Sequence, residues 1–198
     1  MRVLGIDPGL TRCGIGVVDG PVVAPTIVHA SCAATPADLA IESRLLRVHD
    51  AIASVIEEHR PDIVAVERVL FQVNVRSAMA TGQAAGVALL AAARAGLPVV
   101  AYSPNEVKAA VAGWGGADKA AVARLVTAQL RLEAAPTPVD VTDALAVALT
   151  HLGHARLGSV ASRADGRRSA TGTAGGWDVL LDNPNLVVRG GTNKGARS

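Results

Sequence analysis

The run Asp62-Ile63-Val64-Ala65-Val66-Glu67 constrains the fold more than any other stretch of the chain. Its four central residues are all apolar, whereas a strand with one wet face alternates apolar and polar positions, so this one suits a strand covered on both faces. Such strands belong to parallel sheets, which need helices on either side. The run ends on a carboxylate, Glu67. A second short apolar run, Val3-Leu4-Gly5-Ile6, also ends on a carboxylate, delivering Asp7 onto a Pro8-Gly9 turn. Asp-Pro-Gly is an ordinary turn signal, because Pro presets φ, Gly supplies positive φ and Asp bonds its own backbone. Turn chemistry therefore accounts for Asp7 taken alone, and only the rest of the chain can assign it more.

Residues 2–6, 13–19 and 22–30 are β-branched-rich runs separated by turn formers, which predicts three strands in an antiparallel meander. Thr35-Pro36-Ala37-Asp38 carries a helix-start signature, with Thr as N-cap and Pro at the first helical position. The helix that follows spaces Ile41, Leu45, Val48, Ile52, Val55 and Ile56 by three and four residues and ends before Pro61. Residues 77–93 hold no charge, and small residues cover this helix nearly all round, so it is expected to touch a second surface as well as its own core. Its Gly82-to-Gly86 spacing resembles a membrane helix-pairing motif, but the segment is short and contains Gln83, so no membrane partner is expected. Leu97-Pro98-Val99-Val100-Ala101 reads as another buried strand. Ser103-Pro104-Asn105-Glu106 opens a helix that Gly113-Trp114-Gly115-Gly116 breaks, a second helix spans about 117–132, and Thr137-Pro138-Val139-Asp140 opens a last one running to about Arg156.

Half of the 198 residues are apolar, enough for one core of ordinary domain size. Residues 1–157 form the expected domain. Residues 158–198 are expected to be a disordered tail, since 158–175 hold almost no large apolar side chain to offset ordering entropy. Cys13 and Cys32 have neither CxxC spacing nor metal-site neighbours, and no signal peptide is visible, which fits a reduced, cytoplasmic protein. The net charge of +2 divides into 13 Lys/Arg against 14 Asp/Glu in residues 1–157 and 6 against 3 in the tail. Neither part is the broad basic field of a non-specific nucleic-acid binder. Committing four body carboxylates to metal would leave the remaining surface basic.

Those four are Asp7, Glu67, Asp140 and Asp143. Asp140 is explained as the acid three residues after the Thr137 cap. Asp143 is not, because it sits one turn further on among Val141, Ala144, Leu145, Val147 and Ala148, where a carboxylate is scarce. Three-residue spacing puts both carboxylates on one helical face, about 5–6 Å apart at Cβ, where they repel unless a cation lies between. A hard divalent ion with oxygen ligands, such as Mg²⁺, meets that need. Two ions about 3.5–4 Å apart would activate a water and stabilise the leaving oxygen of an in-line phosphodiester displacement. No His or Cys arrangement suited to zinc is present.

Gly5-Ile6-Asp7-Pro8-Gly9 with Gly14-Ile15-Gly16, then Val66-Glu67, Asn74 with Ser77-Ala78, Gly82-Gln83-Ala84-Ala85-Gly86, and Asp140-Val141-Thr142-Asp143-Ala144-Leu145-Ala146 together resemble the RuvC family of bacterial Holliday junction resolvases. The resemblance covers about residues 1–157 in order and spacing. It implies an α/β, RNase H-like fold, a five-stranded mixed sheet flanked by helices, with Asp7 on the central strand and Glu67 on its parallel neighbour. It further implies a homodimer that nicks opposing strands of a four-way DNA junction symmetrically in recombination and repair, using Mg²⁺, two ions per site, with Mn²⁺ as a substitute. Asp7, Glu67, Asp140 and Asp143 match the family's metal-binding catalytic acids, while Lys108 and Lys119 match positions that contact DNA or assist catalysis. The branch-migration proteins RuvA and RuvB are implied partners.

Taken alone, each of those lysines reads as a solvated helical residue, and Arg68, Arg76 and Arg124 are weaker candidates for phosphate contact. Leu70 and Phe71 follow Glu67, and an apolar pair there could wedge between bases. The family's junction-opening aromatic aligns with Leu70, one residue before Phe71, leaving either as the wedge. Three other readings compete. An actin- or kinase-like nucleotide-binding fold needs a second half for which this chain has no room. The RNase H-like, resolvase-related family acting on RNA shares the first-strand motif, but the small-residue helix and the Asp140/Asp143 pair favour the resolvases. A junction-binding scaffold without chemistry must still tolerate four mutually repelling carboxylates.

Overall fold

The computed structural model describes residues 1–68 and 75–164, with side chains to residue 156. Five strands, β1 (Val3–Asp7), β2 (Arg12–Asp19), β3 (Thr26–Ala34), β4 (Ile63–Glu67) and β5 (Val99–Tyr102), form one mixed sheet in the order β3-β2-β1-β4-β5. The pairs β1/β2 and β2/β3 are antiparallel, while β1/β4 and β4/β5 are parallel. The helices are α1 (Ile41–His59), α2 (Val75–Arg94), α3 (Pro104–Ala112), α4 (Lys119–Gln129) and α5 (Val139–Ala164). This is the five-stranded mixed sheet flanked by helices that the family resemblance implies.

The pleat sorts β1 into two layers. Leu4 and Ile6 join Ile15, Val17, Val64 and Val66 beneath α1 and α2, and Val3 joins Val18, Ala65 and the apolar face of α5. Asp7 shares the parity of Val3, and Glu67 that of Ala65, so alternation directs both carboxylates to the α5 face. The parallel register pairs Gly5 with Ala65 and Ile6 with Val66, which brings Asp7 and Glu67 to the same sheet end on adjacent strands. Glycines let α5 lie against the sheet: a Cβ on Gly5 would strike the Ala144 carbonyl, and one on Gly14 the Asp140 carbonyl.

Three expected boundaries are corrected. The third strand begins at Thr26, not at 22, because Pro21 and Pro25 bracket a turn closed by Ala24 N–H donating to the Pro21 carbonyl at 3.0 Å. Thr35 does not cap α1, which starts at Ile41 after Ala40 with no side-chain cap. Its hydroxyl instead donates to the Leu10 carbonyl and accepts from Arg44 Nε at 2.9 Å, and Ile41 lies exposed while Val48, Ile52, Val55 and Ile56 are buried. The last helix starts at Val139 and runs to Ala164, past the expected end near Arg156. The Ser103/Glu106 capping box of α3 is present as expected, and Asp118 caps α4. Among the described residues no helix is long and apolar enough to cross a membrane. Of the tail expected over 158–198, residues 158–164 are instead the end of α5, and the remainder, with Leu70 and Phe71, lies outside the described residues.

Candidate active site

The carboxyl ends of β1 and β4, in the middle of the sheet, meet the first two turns of α5. Asp7 is mostly buried there and its carboxyl is pushed up to about 7, first by burial and then by the charges of Glu67, Asp143 and Asp140; Lys119 opposes the rise. Burial and the Asp143 charge raise Glu67 as well, with Lys119 and Lys108 pulling it back. Four carboxylates from three elements thus share one electrostatic neighbourhood, and all four predicted acids are brought together. Thr142, between the two aspartates of α5, is turned the other way and donates to the Pro136 carbonyl at 3.0 Å, fixing the entry to the helix.

Two cations already lie among these acids. Lys119 Nζ donates to Asp143 Oδ2 at 3.0 Å, and this bond is the main reason its pKa is raised. Arg12 Nε lies 2.9 Å from Asp140 Oδ2. That pair is close enough for charge attraction but misaligned for a hydrogen bond, so the buried Asp140 Oδ2 has no hydrogen-bond partner. With Asp143 and Asp140 drawn onto cations, no three His, Cys, Asp or Glu side chains among the described residues stand in a metal-holding group. The donor set nevertheless suits a hard cation: it is all carboxylate oxygen, partly buried, self-repelling, and includes an acceptor oxygen without a hydrogen bond.

The other predicted residues separate into two groups. Lys119 is in the site by direct contact, and Lys108, on α3, is close enough to stabilise the Glu67 carboxylate. Arg68 donates to the Ala101 carbonyl at 3.3 Å, while Arg76 at the start of α2 and Arg124 on α4 are exposed. Arg12 was missed by sequence reasoning. An antiparallel β2 must start beside the end of β1, which is the signal that could have placed its first residue near Asp7.

The family model for crossover junction endodeoxyribonuclease RuvC matches residues 3–151. A crossover junction endodeoxyribonuclease RuvC from Rhodococcus opacus is 58% identical over 154 residues, covering 76% of this chain and 80% of that protein. The Paenarthrobacter aurescens protein of the same name is 51% identical over 178 residues, covering 89% and 93%. Among solved structures, Thermus thermophilus RuvC in complex with a Holliday junction substrate superposes with a TM-score of 0.77 at 41% identity, covering 80% of this chain and 97% of that one. The yeast mitochondrial Holliday junction resolvase shares the fold at a TM-score of 0.59, with 13% identity and coverage of 82% and 84%. By matched length, identity and architecture, this chain belongs to the RuvC family of crossover junction endodeoxyribonucleases.

Proposed function

We propose that Asp7, Glu67, Asp140 and Asp143 are the catalytic, metal-binding acids of this endonuclease, that two Mg²⁺ ions per site serve it with Mn²⁺ as a substitute, and that a homodimer nicks a four-way DNA junction symmetrically. The observation that carries this reading is the gathering of four carboxylates at the end of the central strands, where burial and the charges of the other three push Asp7 up to about 7. Without cations such an arrangement only costs stability. When bound, the divalent ions supply a water of lowered pKa and offset charge on the phosphate.

The chain's own residues then have distinct tasks. Asp7 and Glu67, fixed by paired strands, are the rigid donors, and Asp140 and Asp143 close the set from α5. Lys119 stays protonated beside Asp143 and places a fixed positive charge where negative charge develops on the phosphate. Lys108 and Arg76 contribute phosphate contacts, and Leu70 or Phe71 supplies the wedge. Residues 1–157 make up the nuclease unit, and no function is assigned to the tail.

The dimer reading rests on α2. One of its faces, with Ala84, Ala88 and Ala92, packs inward, while Val75, Met79 and Leu90 are exposed on the other alongside Gly82 and Gly86, whose surroundings are open. An apolar stripe with small central residues suits close approach of a second copy. Family membership supports RuvA and RuvB as partners and a cytoplasmic site of action beside bacterial DNA. The test is a synthetic mobile junction: nicking in Mg²⁺, none in EDTA, and binding without nicking by Asp7→Asn. Binding without cleavage by the native protein in any divalent ion would favour the scaffold.

A further inference from the structure

The Gly113-Trp114-Gly115-Gly116 break does not belong to the acid cluster, yet it lies at the turn of the helix pair that carries both site lysines. Lys108 sits on α3 near Glu67, and Lys119 opens α4 with its ammonium on Asp143. From Lys108 the helix runs about 8 Å further before the chain turns at Gly113, where a φ of +83° suits only glycine well. Trp114 follows, and it is 63% exposed.

Aromatic residues are used sparingly in this chain, which has only two Trp, one Tyr and one Phe. Trp114 is also held in place. The benzo part of its indole occupies the space that a Cβ on residue 116 would take, so Gly116 acts as a shelf against which the ring rests. The Ala117 N–H donates to the Trp114 carbonyl at 3.4 Å, closing the turn beneath it. The outcome is a positioned indole, open to solvent, flanked in the chain by glycines and on the adjoining helices by two lysines. A protein-docking surface would surround an exposed aromatic with further apolar residues. On α3 and in this turn no other large apolar side chain is exposed, and a lone indole on the turn between two lysine-bearing helices instead matches the chemistry of a polyanionic strand whose bases offer flat faces.

We propose that Trp114 is a stacking platform for a base of the junction strand that runs past Lys108 and Lys119 into the acid cluster. The inference rests on the junction-nuclease reading above. Stacking releases no counterions, so loss of Trp114 weakens binding without altering its dependence on salt, whereas loss of a phosphate-contacting lysine flattens that dependence.

The test uses a full-length chain carrying Trp177→Phe, so that Trp114 alone emits, and a synthetic four-way junction in EDTA, where it is not cut. The expected results are quenching of Trp114 emission on binding and about tenfold weaker binding by Trp114→Ala at an unchanged salt slope and melting temperature. Gly116→Ala, which keeps the indole but removes its shelf, is expected to weaken binding several-fold. An unchanged emission, native affinity in Trp114→Ala, or an altered salt slope in that variant overturns the proposal. Failure of the native protein to bind the junction at all overturns the junction-nuclease reading and this inference with it; native binding with a silent Trp114 removes only the latter.

Discussion

Asp7→Asn has a pH signature in the metal-free protein that follows from where the carboxyl sits. An unfolded Asp titrates near 3.8, and in the folded protein burial and three neighbouring carboxylates push Asp7 up to about 7. The folded state therefore holds its proton more tightly than the unfolded state. Stability from this group is fully present below pH 3.8, declines as pH rises through 7, and is flat above. At about 1.4 kcal/mol per pH unit, ionising Asp7 costs the folded state up to about 4 kcal/mol by pH 8, of which about 2–3 kcal/mol accrues between pH 5 and pH 8. Asparagine carries no such penalty. The advantage of Asp7→Asn over the native protein in EDTA should thus grow by about 2–3 kcal/mol from pH 5 to pH 8, or about 5–10 °C in melting temperature for a domain of this size. Circular-dichroism melts at closely spaced pH values measure this directly. Saturating Mg²⁺ should stabilise the native protein more at pH 8 than at pH 5 and should do little for Asp7→Asn. Parallel pH profiles for the two proteins in EDTA would refute the reasoning, since Asp7 would then not sit in a repelling, desolvated cluster.

Other outcomes follow from the same geometry. Gly14→Ala forces a methyl into the Asp140 carbonyl, shifting the start of α5 by about 1 Å, and nicking should fall about 100-fold while Gly153→Ala, on the same helix with open space around it, leaves nicking intact and raises the melting temperature. Lys119→Ala should lower the nicking rate by about 100-fold and reduce the salt slope of junction binding by about one, with Lys119→Arg recovering the slope better than the rate. Leu90→Glu combined with Met79→Glu should turn a dimer into a folded monomer in sedimentation; a monomeric native protein at micromolar concentration would contradict the dimer reading.

The sheet was legible where local signals and tertiary demands agree. The apolar run before Glu67 has to be buried on both faces, and it is, between the two core layers. The three-residue spacing of Asp140 and Asp143 likewise survives folding because helical periodicity is local. Failures occur where distant parts of the chain compete for a residue. The Thr35 hydroxyl looks like a helix cap in sequence but is taken by Leu10 and Arg44, and the valines at 22–23 favour a strand until the flanking prolines turn the backbone. The pairing of Arg12 with Asp140 was missed for the same reason: Asp140 lies on the last helix, and only the folded sheet brings the two together. The close approach of Gly14 to α5 explains a glycine that spacing alone leaves unassigned.

The most direct test of the central reading is a map, at nucleotide resolution, of the cuts made in a synthetic mobile four-way junction. The account predicts paired nicks at symmetric positions on two opposing strands in Mg²⁺, none in EDTA, and none from Asp7→Asn although that variant still binds. A junction bound but left intact in every divalent ion, or nicked equally well by Asp7→Asn, would contradict it.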